Sequence, residues 1–443
     1  MKRQLRRNEG RGPSFFYRRC YDFLLAAMAF MSLPVLLYRI YRGKYRKSFF
    51  RRLFPGLNPG VVNSGLMATG RTIHVHGVSV GEVSAIAPLV RLLGDNFTGS
   101  TILLTTVTET GNEMALKRCP HAEIAYLPFD FGPLVGRFLD SVRPRALILA
   151  ETELWPALFW EAAARNIPVI IVNGRISDRA WNRYRRVRGF FRKVLCHGSL
   201  FLVQDFVARD RFIELGARPD RVIPVGNIKF DSLPDPLDGN ASSSLSTVMK
   251  GVKNSAAPVI ALASTHPGEE IVLTVELLKR IPEAQLFIIP RHVERSGELA
   301  VNLKRETGCE CVMRSDSAPV PGKIWILDTI GELTDLFQYV DLVIMGGSFV
   351  PVGGHNVLEP AAWGKPVIWG PHMENFREAE QLLKGRGGFS AGDAAQAAQQ
   401  AVELLRKPES MKAMGNVAVK TVNSLRGATG KALAAIRWIV GAD

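Results

Sequence analysis

The stretch Arg145-Ala-Leu-Ile-Leu-Ala-Glu-Thr-Glu-Leu-Trp-Pro156 decides the fold. Residues 145 to 150 are an apolar run without polar alternation. A strand with one wet face alternates, whereas a strand covered by helices on both faces reads as continuous. Two acids, Glu151 and Glu153, follow immediately. Working outward, comparable runs stand at 72–77 (TIHVHG), 101–107 (TILLTTV) and 167–172 (IPVIIV), separated by helical patterns. That alternation predicts βαβ units in a parallel sheet. The segment after Asp231 is rich in Ser, Pro, Gly and Asn and reads as a linker. The pattern then restarts at 258–263 (PVIALA), 285–289 (QLFII), 323–327 (KIWIL), 341–345 (DLVIM) and 366–369 (PVIW), and 391–440 reads as two or three helices. The fold class is therefore α/β, with two Rossmann-like doubly wound domains. A ligand crevice is expected where the carboxyl ends of their strands face each other. The expected boundaries are a basic segment 1–52, a first domain 53–235, a linker 236–256, a second domain 257–425 and a closing helix 426–443.

The 443 residues, 47% hydrophobic and 22% charged, suit an ordered two-domain protein. The five cysteines, Cys20, Cys119, Cys196, Cys309 and Cys311, lack the spacing of a zinc site or a disulfide framework, which points to a reducing compartment. The net charge of +15 is concentrated in residues 1–52, which hold fourteen Lys/Arg against two acids, so no nucleic-acid partner is expected. Within that segment Phe23 to Tyr38 is a charge-free apolar run, shorter than the roughly 20 residues a membrane span needs. Basic flanks on both sides suit a helix that lies in or dips into the anionic cytoplasmic leaflet. They disfavour a cleaved signal peptide. A second basic cluster, Arg175 to Lys193, reads either as a seat for lipid phosphates or as a solvated face.

Several motifs follow predicted strands. His76-Gly-Val-Ser-Val-Gly-Glu82 opens a helix over 82–93, and its N–H groups suit a carboxylate or phosphate. Glu82, in the first turn, is expected to stay ionised under the helix dipole and to act as general base toward a sugar hydroxyl. Glu151 and Glu153 stand at another strand end. In Gly226-Asn-Ile-Lys-Phe-Asp231, Lys229 can neutralise a leaving phosphate. The second half offers Ser264-Thr-His-Pro-Gly-Glu-Glu270, then Pro290 and Arg291 at a strand end, where the arginine fork suits phosphate oxygens. Gly331-Glu332-Leu333 opens a helix after KIWIL. The run 346–360 (GGSFVPVGGHNVLEP) has four glycines that let backbone approach a ligand, and Asn356 and Glu359 are expected on one helical face, with Glu359 on a ribose diol. It lacks the phosphate-loop and dinucleotide fingerprints.

SVGE, ETELWP, GNIKFD, STHPGEE, PRHVER and GGHNVLEP, in this order, resemble the 3-deoxy-D-manno-octulosonic acid (Kdo) transferase family of GT-B glycosyltransferases, over about residues 15 to 430. The resemblance implies inverting, metal-independent transfer of Kdo from CMP-Kdo to a lipid A precursor (lipid IVA), without a cofactor, at the cytoplasmic face of the inner membrane. Carried over motif by motif, it makes Glu82 the general base. Glu151 and Lys229 stabilise the transition state. Pro290, Arg291, Gly331, Glu332, Leu333, Asn356, Val357, Leu358 and Glu359 hold CMP. The competing expectations are another enzyme of this architecture using a UDP-sugar, and a non-enzymatic basic membrane-binding protein.

Overall fold

The computed structural model describes residues 15–42, 46–54, 71–233, 243–249 and 257–441. The basic extension before Phe15 and most of the segment after Asp231 lie outside them. Two compact units emerge: Met1–Ser232 together with Leu425–Asp443, and Leu233–Ser424.

The first unit holds β1 (Thr72–His76), β2 (Thr101–Thr106), β3 (Glu123–Tyr126), β4 (Pro144–Ala150), β5 (Val169–Gly174), β6 (Leu200–Val203) and β7 (Val222–Pro224). They form one sheet in the order β3-β2-β1-β4-β5-β6-β7, with every pairing parallel. Strand β4 shows why its sequence does not alternate. Leu147 and Leu149 enter one core, while Ala146, Ile148 and Ala150 enter the core on the opposite face. Both faces are dry, so both sets of residues must be apolar.

The second unit repeats the plan with β8 (Val259–Thr265), β9 (Gln285–Pro290), β10 (Cys311–Met313), β11 (Ile324–Ile326), β12 (Leu342–Met345), β13 (Val367–Trp369) and β14 (Gly388–Ser390). The order is β10-β11-β9-β8-β12-β13-β14, again all parallel. Ile260, Leu262, Ile288, Ile326, Ile344 and Ile368 line one of its cores.

Three helices close the chain, Ala394–Leu405, Pro408–Ser424 and Ala428–Val440. The last belongs to the first unit. Its opening N–H groups, those of Gly427 and Thr429, donate to the two carboxylate oxygens of Asp231, each at 2.5 Å. Ala432, Ile436 and Ile439 bury themselves in the same core as Ile73 and Ile148.

The N-terminal helix, Phe15–Tyr41, divides into two parts. Its first two turns dock on the first unit. Tyr17 and Tyr21 meet Trp160 edge-on, with centroids 6.2 and 5.4 Å away. The Tyr21 hydroxyl donates to Asp130 at 2.8 Å, and the Gly132 N–H donates to Asp22 at 2.9 Å. Beyond that foothold the apolar side chains face outward, with Phe23 73% and Phe30 77% exposed. Among the described residues no helix is long and apolar enough to cross a membrane.

Candidate active site

In an open doubly wound sheet, ligands bind at the carboxyl ends of the strands where the strand order reverses. In the first sheet that reversal falls between β1 and β4, and in the second between β8 and β12. The loops after β1 and β4 carry Glu82, Glu151 and Glu153. Those after β8 and β12 carry His266 and the glycine-rich run.

The first site is built from three short devices. Ser79 caps the helix Val80–Asn96 by accepting the N–H of Glu82, and the Glu82 carboxylate turns back to accept the N–H of Val78 at 2.5 Å. This is the reciprocal logic of a capping box. It consumes backbone donors that the sequence suggested were open to a ligand. Burial then reverses the expected protonation tendency. Loss of water raises the Glu82 pKa, the Val78 N–H opposes that rise, and Glu151 reinforces it. Burial works against the helix dipole here, because a partly buried carboxylate loses solvation of its charged form. A raised pKa brings the group closer to the working range of a general base.

Glu151 sits at φ +51, a left-handed conformation that is costly for a residue with a Cβ. Its N–H is tied to the Val172 carbonyl at 2.8 Å. Its carboxylate meets the Lys229 ammonium at 2.6 Å. Lys229 owes its place to the asparagines around it. Asn173 accepts the Ile228 N–H at 3.1 Å and Asn227 accepts the Lys229 N–H at 3.0 Å, while Asp231 clamps the last helix. In the GNIKFD motif, therefore, the Asn and Asp side chains are fixed by structure and the lysine is left to reach a carboxylate. The family resemblance did not single out Glu153, yet its pKa is strongly displaced. Burial, then the charges of Glu82 and Glu151, push it up to about 7. Its signal in the sequence was the E-x-E spacing after β4, whose importance depends on burial.

The second site gathers residues from four strand ends. Arg291 follows β9, is exposed, and donates its N–H to the Thr265 carbonyl at 2.9 Å. Gly331 has φ +95 ahead of the short helix Leu333–Leu336. Glu332 is committed to Arg314 at 3.0 Å and also accepts from Thr329, so it is a structural anchor of this loop. Asn356 and Glu359 do not share a helical face, because the helix starts only at Leu358. Asn356 instead precedes it, accepting the Leu358 N–H at 3.1 Å and donating to Glu359 at 3.1 Å. The two side chains meet by that route. Burial raises the pKa of Glu359, and the Asn356 bond opposes the rise. Val357 and Leu358 are core residues, 0% and 1% exposed, so only their backbone is open to a ligand role.

Buried Glu269 ties the second site together. Its carboxylate accepts the N–H groups of His266 at 2.9 Å, Gly347 at 2.5 Å and Phe349 at 3.1 Å, which locks the glycine-rich run to the loop after β8. Beside it, the His266 and His355 rings lie nearly parallel with centroids 5.2 Å apart.

Two doubly wound units, one offering carboxylates and a lysine and the other glycine backbone, histidine and arginine, place the chain in the GT-B fold class. A UDP-GlcNAc 2-epimerase from Neisseria meningitidis superposes with a TM-score of 0.58 at 15% identity, over 82% of this chain and 99% of that one. A glycosyltransferase from Rickettsia africae superposes with a TM-score of 0.56 at 16% identity, over 84% and 98%. These likenesses concern the fold alone. The sequence narrows the class. The 3-deoxy-D-manno-octulosonic-acid transferase (kdotransferase) family profile matches residues 49–232. The chain is 36% identical over 363 residues to the 3-deoxy-D-manno-octulosonic acid transferase of Haemophilus influenzae, covering 80% of this chain and 84% of that protein. It is 32% identical over 386 residues to that of Bordetella pertussis, covering 83% and 87%. The chain belongs to the Kdo transferase family.

Proposed function

We propose that the protein transfers Kdo from CMP-Kdo to a lipid A precursor, lipid IVA, with inversion and without a metal, at the cytoplasmic face of the inner membrane. The observation that carries this reading is the Glu151–Lys229 pair beside Glu82 at the reversal point of the first sheet. Glu82 takes the proton of the acceptor hydroxyl as the glycosidic bond forms and the bond from the sugar to the CMP phosphate breaks. Its raised pKa keeps it basic enough to accept that proton. Lys229, held by Glu151, supplies positive charge for the charge that develops during transfer. In the second unit Arg291 and the backbone of 331–333 and 356–359 hold the nucleotide, with Glu359 and Asn356 toward the ribose.

Membrane attachment follows from the two halves of the N-terminal helix. The outward apolar half of Phe15–Tyr41 inserts at the interface, its basic flanks meeting anionic headgroups. At its root, the Lys193 ammonium lies 3.8 Å above the Tyr17 ring. Phe190 packs against Tyr21 at 6.0 Å. Arg179, Arg183, Arg185, Arg186 and Arg188, all exposed, extend from there. This basic run beside the apolar helix suits anionic headgroups better than a merely solvated face.

The test is incubation with CMP-Kdo and tetraacyl lipid A precursor, followed by product mass. A gain of one or more Kdo units supports the reading. Turnover of a UDP-sugar with none of CMP-Kdo would replace it.

A further inference from the structure

The second site contains a feature that the proposed roles leave unused. The Nε2 atoms of His266 and His355 lie 3.0 Å apart although the residues are 89 positions apart in the chain. Two ring nitrogens at that distance share one proton: one Nε2–H donates and the other Nε2 accepts. The rings fit together because position 347 is glycine. A Cβ there would stand 2.9 Å from His355 Cδ2 and 3.3 Å from His266 Cδ2, and Gly347 has φ +64. The contact is therefore held between two loops that Glu269 fixes. A third ring, His292, stands edge-on to His266 at 5.9 Å, directly after Arg291.

We propose that His266 and His355 act together as a proton-linked receptor for the phosphate of the nucleotide donor. The proposal rests on the donor reading above and adds two positioning residues and a proton to it. In the neutral pair, tautomer bookkeeping leaves one Nδ1–H donor and one Nδ1 lone pair. One proton taken from solvent forms a single new N–H bond at that lone pair. The pair then becomes a monocation with two outward donors, the form an anion prefers.

The surroundings keep the pair neutral until an anion arrives. Burial first, then the neighbouring His266, Arg291 and His292, push the His355 pKa down to about 4. Burial, His292, Arg291 and Arg295 also lower that of His266. Glu269, which accepts the His266 N–H, has its carboxylate occupied by three backbone N–H groups, and Phe376, 6.5 Å from the His355 ring, carries no charge. A bound phosphate reverses the balance of charge and raises the pair's affinity for a proton. Proton uptake on binding is then confined to the window above the free pair's pKa and below that of the bound pair. Within it, nucleotide affinity rises as pH falls.

The experiment titrates CMP calorimetrically into the full chain at pH 6.5, in buffers of different ionisation enthalpy, and repeats the affinity measurement at pH 8. His355→Gln and His266→Gln accompany the wild type, each checked by thermal melting. Glutamine reproduces the hydrogen bond at Nε2 but cannot titrate. Because the second pKa of CMP itself lies near 6, the difference between wild type and variant is the quantity read. The wild type is expected to take up more protons than either variant and to tighten more steeply from pH 8 to pH 6.5. At pH 6.5 the variants should bind roughly three- to tenfold more weakly. Equal proton uptake and equal pH slopes, with CMP still bound, would overturn the receptor and leave the donor reading intact. Absence of CMP binding to the wild type would remove both.

Discussion

The two reversal points, β1/β4 in the first unit and β8/β12 in the second, are the same topological device with opposite chemistry. The first crowds three carboxylates, and burial together with mutual repulsion raises the pKa of both Glu82 and Glu153. One lysine, Lys229, is paired into that cluster at 2.6 Å. The second removes side chains at Gly346, Gly347, Gly353 and Gly354 and places histidines and arginine around the bared backbone. The sheet fixes only where loops converge. The loops decide which chemical groups each reversal point presents.

The sharpest way to break this division is Glu82→Gln. Turnover should fall by about 10²–10⁴, measured as Kdo-lipid product formed per unit time. Lys229→Ala comes next, because it removes the charge meant for the transition state and also strands Glu151. A loss of roughly 10²–10³ in kcat is expected, and a variant within a few-fold of wild type would reduce the ion pair to a structural contact. Arg291→Ala should act in the other unit and on another parameter, raising the donor KM by about tenfold with kcat nearly kept.

The smallest effect concerns stability. Glu153 has a folded-state pKa of about 7, above its ordinary 4.5. For an acid displaced upward, the folded state favours the protonated form, so the ionised side chain costs stability progressively as pH rises from about 4.5 to about 7. Glu153→Gln should therefore raise the melting temperature at pH 8 by roughly 2 °C or more and change little at pH 4. An equal shift at both pH values would mean that the charge is not the cause.

The central strands were legible because each is dry on both faces. The strands that went unread are β3, β6, β7, β10 and β14, three or four residues each, and four of them stand at sheet edges. There a three-residue run such as Cys311–Met313, only half buried, leaves no periodicity to read. The order of the chemical motifs was legible, but what each residue does locally was not always so. Asn356 reads as a helical neighbour of Glu359, yet it lies ahead of the helix and its side-chain carbonyl accepts the Leu358 N–H. Glu82 reads as ionised under a helix dipole, and the burial that raises its pKa against that dipole has no local mark in the sequence. Two features depend on contacts remote in sequence. One is the return of the last helix to the first unit through Asp231, across 196 residues. The other is the His266–His355 contact.

Proton abstraction and nucleotide grip are proposed to reside in different units. The most direct check is one set of CMP titrations into wild type, Glu82→Gln and Arg291→Ala. Glu82→Gln should bind CMP within about twofold of wild type, and Arg291→Ala about tenfold more weakly. Loss of CMP binding in Glu82→Gln, or unchanged binding in Arg291→Ala, would contradict the assignment of the two tasks.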